Sequence, residues 1–400
     1  MRIVVNKRIQ SVNESATLAV KEKADRLKAL GRKIFNFGPG EPDIDTPQHI
    51  KDAAIRALEM GKTKYLPVLG LPELRDAIAN KLKSENHLNA TASSVIVCNG
   101  GKQAIFEALD VILEPGDEVI IPTPYWVSYP EMVRLAGGSP VILPSDPNAG
   151  YKLTPEVLTK YITKKSKVII INTPSNPTGA AYSRKELEAL AELILKSGLY
   201  VISDEVYEKI IYDNFQHTSI AALSPEMESR TITINAFSKT YSMTGWRAGY
   251  AYAPKEIIAA MGRHQSQTTS NVCSITQYAA LSALSGDHTF LEKLLVNYKH
   301  RRDLASQIVK SCPGLTLPFL PDGAFFLFIR IESLIGRKWQ NRIINGSRDL
   351  SEFLLDEAGV ALVPGLEFGD DSAFRISYAM AEDQLVAGLM AMKESLNKLS

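Results

Sequence analysis

The sequence predicts an α/β fold, with a large domain built on a mostly parallel sheet flanked by helices and a smaller α+β domain beside it. Between about residues 48 and 285, short β-branched runs alternate with longer amphipathic stretches, as in parallel strands joined by covering helices. After Asp287 the pattern changes to a long charged helix, a few short strands and a terminal helix. The chain also has 400 residues, more than one hydrophobic core usually organises.

Taken in order, a helix is expected over 15–30, followed by a Gly/Pro-rich loop over 38–47. Residues 1–47 are assigned to a segment packing on the small domain, 48–287 to the large domain and 288–400 to the small one. Strands are expected at 95–97, 119–121, 141–143, 168–171, 200–202 and 231–234, all rich in Val and Ile. Ile105, Ala108, Leu109 and Ile112 follow i, i+3, i+4, i+7 spacing, as do Leu187, Leu190, Ala191 and Ile194, so both sets mark core-facing helices. The second domain should contain a helix near 293–310 and strands near 324–329 and 374–377.

Forty-five basic residues against 44 acidic ones leave almost no net field, which argues against nucleic acid or an anionic membrane as a partner. The three cysteines, Cys98, Cys273 and Cys312, form no close pair, and the six histidines show no metal-ligand spacing. No metal is expected. The densest apolar run, 324–329, is far shorter than the roughly 20 residues of a membrane helix, and a cytoplasmic protein is expected.

Open parallel sheets bind ligands beyond the carboxyl ends of their strands. Three of those ends are chemically dense. The run at 168–171 leads into NTPSNPTG with Asn176, the run at 200–202 into SDEVYE with Asp204 and Tyr207, and the run at 231–234 into NAFSK with Ser238 and Lys239. An amide, a carboxylate, a phenol and an amine are thereby aimed at one place. An amine on a fixed strand end can bond covalently to an aldehyde and can also move a proton as a general base. Between the 95–97 run and the helix that follows it, Asn99, Gly100, Gly101 and Lys102 can offer helix N-terminal amides to an anion. The Walker spacing is absent.

NTPSNPTG, SDEVYE and SKTYSMTGWRAGY together resemble the signatures of class I aminotransferases, the fold-type I pyridoxal-phosphate enzymes. The likeness runs from GPGEPDIDTP to FRISYA, and it is greatest to the bacterial aspartate branch that includes aspartate/prephenate enzymes. It implies pyridoxal 5'-phosphate as cofactor and ping-pong transfer of an amino group from an L-amino acid, with L-aspartate to 2-oxoglutarate first in line. Other aminotransferase substrates (aromatic, alanine, prephenate) or a same-fold β-lyase are the alternatives. Lys239 would be the Schiff-base residue and general base, and Asp204 would hold the pyridine nitrogen protonated. Asn176 and Tyr207 would bond the cofactor's phenolic oxygen, while Trp126 would stack on its ring. Gly100, Gly101, Lys102, Ser238 and Arg247 would surround the phosphate, and Tyr65 would reach the phosphate of the neighbouring subunit, which implies a homodimer. Arg375 and the Gly40 amide would bind the α-carboxylate, and Lys102 the distal carboxylate of a diacid.

Bland alternatives stand beside these roles. Asp204 could be a helix cap, Asn176 a turn residue and Trp126 core. Arg375 and Arg247 could be in surface ion pairs, and Lys102 could be solvated on a helix's first turn. Two departures from the family pattern are visible. Ala236 stands where many relatives carry a phosphate-binding serine, which implies one fewer phosphate hydrogen bond. Asn13 aligns with a lysine of prephenate-accepting relatives, which argues against that substrate.

Overall fold

The computed structural model describes residues 5–13, 16–340 and 342–400. Ser15, the expected first residue of the N-terminal helix, lies outside them; the helix is described over Ala16–Ala29. Among the described residues, fourteen strands follow in chain order. These are β1 Phe35–Asn36, β2 Val95–Cys98, β3 Glu118–Pro122, β4 Ser139–Leu143, β5 Ser166–Asn172, β6 Tyr200–Asp204 and β7 Thr231–Ala236, then β8 Gly249–Tyr252, β9 Phe326–Arg330, β10 Lys338–Trp339, β11 Arg342–Ile343, β12 Val360–Ala361, β13 Val363–Pro364 and β14 Ala373–Ser377.

Seven of them form one sheet in the order β2-β8-β7-β6-β5-β3-β4. β4, β3, β5, β6 and β7 run parallel, each paired with its neighbour. β8 runs antiparallel to both β7 and β2. The sheet is thus mostly parallel, as expected, with Gly249–Tyr252 as a short antiparallel strand inside the GWRAGY motif region. Val168–Ile171 and Thr231–Ile234 are buried throughout, as expected for strands covered on both faces.

The helices form where the apolar spacing put them. Arg184–Ser197 starts on a capping box, with Ser183 accepting from the Glu186 amide and Glu186 accepting from the Ser183 amide, and ends at Gly198 with φ +73°. Its buried face is Leu187, Leu190, Ala191 and Ile194. Gly100–Ile112 runs off the end of β2 and buries Ala104, Ile105, Ala108 and Leu109.

A second sheet, β13-β14-β9, is fully antiparallel and packs under the long helix Thr289–Lys310 and the terminal helix Glu382–Leu396. β1 pairs in parallel with β12, and Phe35 and Phe37 join the aromatic core around Phe325, Phe326 and Phe374. Among the described residues no helix is long and apolar enough to cross a membrane.

Candidate active site

Strand register assembles the site. Asn172 at the end of β5 lies opposite Asp204 at the end of β6, and Asp204 lies opposite Ile234 of β7, two residues before Ala236. The chain then turns through the short helix Phe237–Thr240, which carries Ser238 and Lys239. Above this edge lies a cavity of about 220 Å³. Gly40, Gly101, Lys102, Trp126, Asn176, Asp204, Tyr207, Ser238, Lys239, Arg247 and Arg375 all line it, joined by Asn172, Ile105, Val206 and Ala236.

Lys239 sits on the cavity floor and its Nζ donates to the Gly40 carbonyl. Burial drops its pKa to about 8, with the Glu41 charge opposing and the Arg375 and Arg247 charges assisting. A lysine this low holds a useful fraction of free amine near neutrality, as a nucleophile or general base requires.

Asp204 is buried, and burial pushes its pKa up to about 6. It is not a helix cap, since β6 ends on it and a turn follows; its Oδ1 accepts from the Val206 amide at 3.3 Å. Tyr207 is buried against Phe325 and Phe326, and burial raises its phenol pKa.

Arg375 is 1% exposed on the central strand β14. One guanidinium nitrogen donates to Asn176 Oδ1 at 2.9 Å, another to the Gly38 carbonyl. Its head lies 4.4 Å from the centroid of Phe326 and 5.2 Å from that of Phe368. Nε has no partner, and among the described residues no carboxylate is within ion-pair distance. Burial lowers its pKa to about 10. The surface ion-pair alternative therefore fails. Asn176 is more than a turn residue, because its amide is held by Asn172 Oδ1 at 2.8 Å while its side chain meets Arg375.

At the helix N-terminus Gly100 has φ +80°, and a Cβ there would come within 2.5 Å of Arg247 Nη2. The left-handed backbone there favours glycine, and the bare Cα leaves room for the arginine head beside it. Arg247 is exposed, donates to the Thr244 and Asn99 carbonyls and has no ion-pair partner among the described residues. Lys102 lies at the mouth, with its Nζ 5.1 Å from the Trp126 ring centroid. Partial burial and the Arg247 charge lower its pKa.

Lys102 also lines an outer cleft of about 860 Å³, to which Asn13 belongs. Asn13 bonds Glu131 there and does not reach the inner cavity. Tyr65 does not line the cavity of its own chain; it is 90% exposed.

Two neighbours take roles that the motifs alone do not assign. Asn172 braces the β5–β6 edge by donating to the Asp204 carbonyl at 3.0 Å. Tyr129, one turn after Trp126, bonds Asp204; its i+3 spacing from Trp126 was the available signal. Glu205, Glu208 and His217 also come close enough to suggest a metal. However, Ser203, Ser219 and His217 hold Glu205, while Lys81 and Asn86 hold Glu208, and so both carboxylates are already engaged by side chains, with His217 Nδ1 left unpartnered.

The chain matches the family model "Aminotransferase class I and II" over residues 32–391. The chain belongs to that family. It is 49% identical to the aspartate/prephenate aminotransferase of Cereibacter sphaeroides, over 94% of either chain. It is 47% identical to the aspartate aminotransferase of Geobacillus stearothermophilus, over 95% of either chain. Among solved structures, the aspartate aminotransferase of Rhizobium meliloti superposes with a TM-score of 0.96 at 40% identity and full coverage of both chains. That of Thermus thermophilus, solved with maleate, gives 0.92 at 41%, over 99% of this chain and all of the other. The fold is therefore that of the fold-type I enzymes, and the cofactor of the family is pyridoxal 5'-phosphate. The cavity fits that group: a low-pKa amine, a buried carboxylate and an aromatic wall face it, with open helix amides and an unpaired arginine at one end.

Proposed function

We propose that this aminotransferase exchanges the amino group of L-aspartate with 2-oxoglutarate. The observation that carries the reading is Arg375, a buried cation with an unpartnered Nε at the cavity wall. Leaving such a charge unmatched is costly unless a carboxylate arrives to pair with it. With Arg375 and the Gly40 backbone on the α-carboxylate, Lys102 at the mouth is the cation available to a second one.

Bound in this cavity, pyridoxal 5'-phosphate would supply an aldehyde for covalent attachment and a ring that accepts electrons from Cα. Gly100, Gly101, Ser238 and Arg247 would hold the phosphate; Ala236 contributes only a methyl there. Asn176 and Tyr207 would hold the phenolic oxygen and Trp126 would cover the ring. Asp204, ionised above about pH 6, would face the ring nitrogen. Lys239 would anchor the group and then, as a free amine, carry the substrate Cα proton.

The reading extends to a homodimer and to the division 1–47, 48–287 and 288–400. Ile55, Leu58 and Met60 are exposed on and just after one helix, and Tyr65 follows them. Such an apolar patch suits a protein interface, and from it Tyr65 can serve a second copy's phosphate. A cytoplasmic location is also part of the proposal, supported by three free thiols.

The test is a transamination panel with purified enzyme: aspartate, glutamate, alanine, aromatic amino acids and prephenate against their oxo-acid partners. Aspartate with 2-oxoglutarate should give the highest kcat/KM. Absence of amino-group exchange from aspartate, or release of ammonia and pyruvate instead, would overturn the reading.

A further inference from the structure

The turn that carries Trp126 also carries Tyr129. The Tyr129 amide donates to the Trp126 carbonyl at 2.9 Å, and the two rings pack edge to face with centroids 5.4 Å apart. Trp126 reaches the cavity, whereas Tyr129 runs behind it at 2% exposure. Its hydroxyl donates to Asp204 Oδ2 at 2.6 Å, the length of a charge-assisted O–H···O⁻ bond. The other oxygen, Oδ1, takes the Val206 amide. Among the described residues Tyr129 is the only side chain that donates to this carboxylate.

We propose that Tyr129 is a positioning residue for Asp204, holding the carboxylate in one orientation and in its ionised form so that the cavity presents a fixed negative charge at neutral pH. The proposal rests on Asp204 being the carboxylate that serves the cofactor ring.

A carboxylate this deep would otherwise favour its proton, because burial disfavours the charged form. Glu205 on the same turn raises its pKa further, whereas Lys239 lowers it through space. Tyr207 is driven up by burial and stays neutral, and Arg375 on β14 faces Tyr207 and Lys239. Burial is the largest influence on Asp204, and the Tyr129 bond is the first of those that oppose it. Tyr129 is itself pushed well above its usual range by burial and by Asp204, so it remains a donor. The Trp126–Tyr129 turn thus ties the ring wall and the ring-facing charge to one short piece of backbone.

Tyr129→Phe tests this, because it keeps the ring and its contact with Trp126 and removes only the hydroxyl. A hydrogen bond to a charged group corresponds to about one to two pH units. The acid limb of kcat/KM should therefore move up by that amount in the full-length holoenzyme, with kcat falling more than KM changes and activity returning on the alkaline side. In the apoprotein, cofactor affinity measured by fluorescence titration should be several-fold weaker at pH 7 and approach wild type at pH 9. Asp204→Asn is the control and should be weak at every pH. If Asp204→Asn binds cofactor and turns over as wild type does, the reading of Asp204 has failed. If Asp204→Asn is damaged but Tyr129→Phe leaves acid limb and affinity in place, or loses both equally at all pH values, the positioning role alone is overturned.

Discussion

Replacing Lys239 with Met should abolish transamination and at the same time make the apoprotein more stable at neutral pH. Burial holds the amine at about 8 instead of 10.5, which corresponds to a penalty of about 3 kcal/mol on its charged form. The bond from Nζ to the Gly40 carbonyl returns about 1 kcal/mol, leaving about 2 kcal/mol for Met to recover with a side chain of similar length and no charge. The sign depends on pH. At pH 7 the lysine is largely protonated in both folded and unfolded chains, so the penalty is present nearly in full. Between about pH 8 and 10.5 the folded protein sheds the proton first, the unfolded chain binds more protons, and wild-type stability rises with pH. The advantage of Lys239→Met should therefore be about 2 kcal/mol at pH 7, vanish between about pH 9 and 10, and become a deficit of about 1 kcal/mol by pH 10.5. Urea unfolding of cofactor-free wild type and variant at pH 7 and pH 10 measures it. A variant less stable than wild type at pH 7, or equally favoured at both, would show that the buried ammonium is not strained and that the low pKa is wrong. Borohydride reduction of the holoenzyme tests the catalytic half: the trapped cofactor should be on Lys239 in wild type and absent from the variant.

Other substitutions separate the remaining roles. Asp204→Ala should weaken cofactor binding and lower kcat by a factor of about 10² or more, through lost electrostatic stabilisation; near-normal kcat would remove Asp204 from the chemistry. Lys102→Ala should lower kcat/KM for aspartate by about tenfold to a few hundredfold relative to phenylalanine, and an equal loss for both would place Lys102 on the cofactor side. Lys81→Met leaves the buried Glu208 carboxylate without its cation, a change worth about 3 to 5 kcal/mol of stability, read by urea unfolding. Burial opposes ionisation of Glu208, but the Lys81 charge and the Lys81 and Asn86 bonds prevail and hold it at about 2. The pair's contribution is therefore fully present above the ordinary carboxylate range near 4.5 and is lost as pH falls towards 2. The wild-type loss of stability across that window should be flatter in Lys81→Met.

Local order made much of this molecule readable from its sequence. β-branched runs of strand length and the 3.6-residue spacing of Leu187, Leu190, Ala191 and Ile194 are properties of contiguous residues, and they located β2 to β7 and the covering helices before any tertiary contact was known. The polar residues that follow β5, β6 and β7 could be read as one site because parallel strands end at one edge. What needed the tertiary structure was whatever depends on register between distant segments. β8 is four residues long and starts with glycine, and its place between β7 and β2 comes from pairing on both sides. The burial of Arg375 depends on β14 lying between β9 and β13 and on Gly38 and Asn176 arriving from far along the chain. Tyr129 looks like an ordinary core aromatic until β6 brings Asp204 to its hydroxyl. Spacing along a chain reports which face a residue takes, but the partner of a buried polar group is set by how separate elements pack. That packing decided which charges in this cavity are held and which are left free for a ligand.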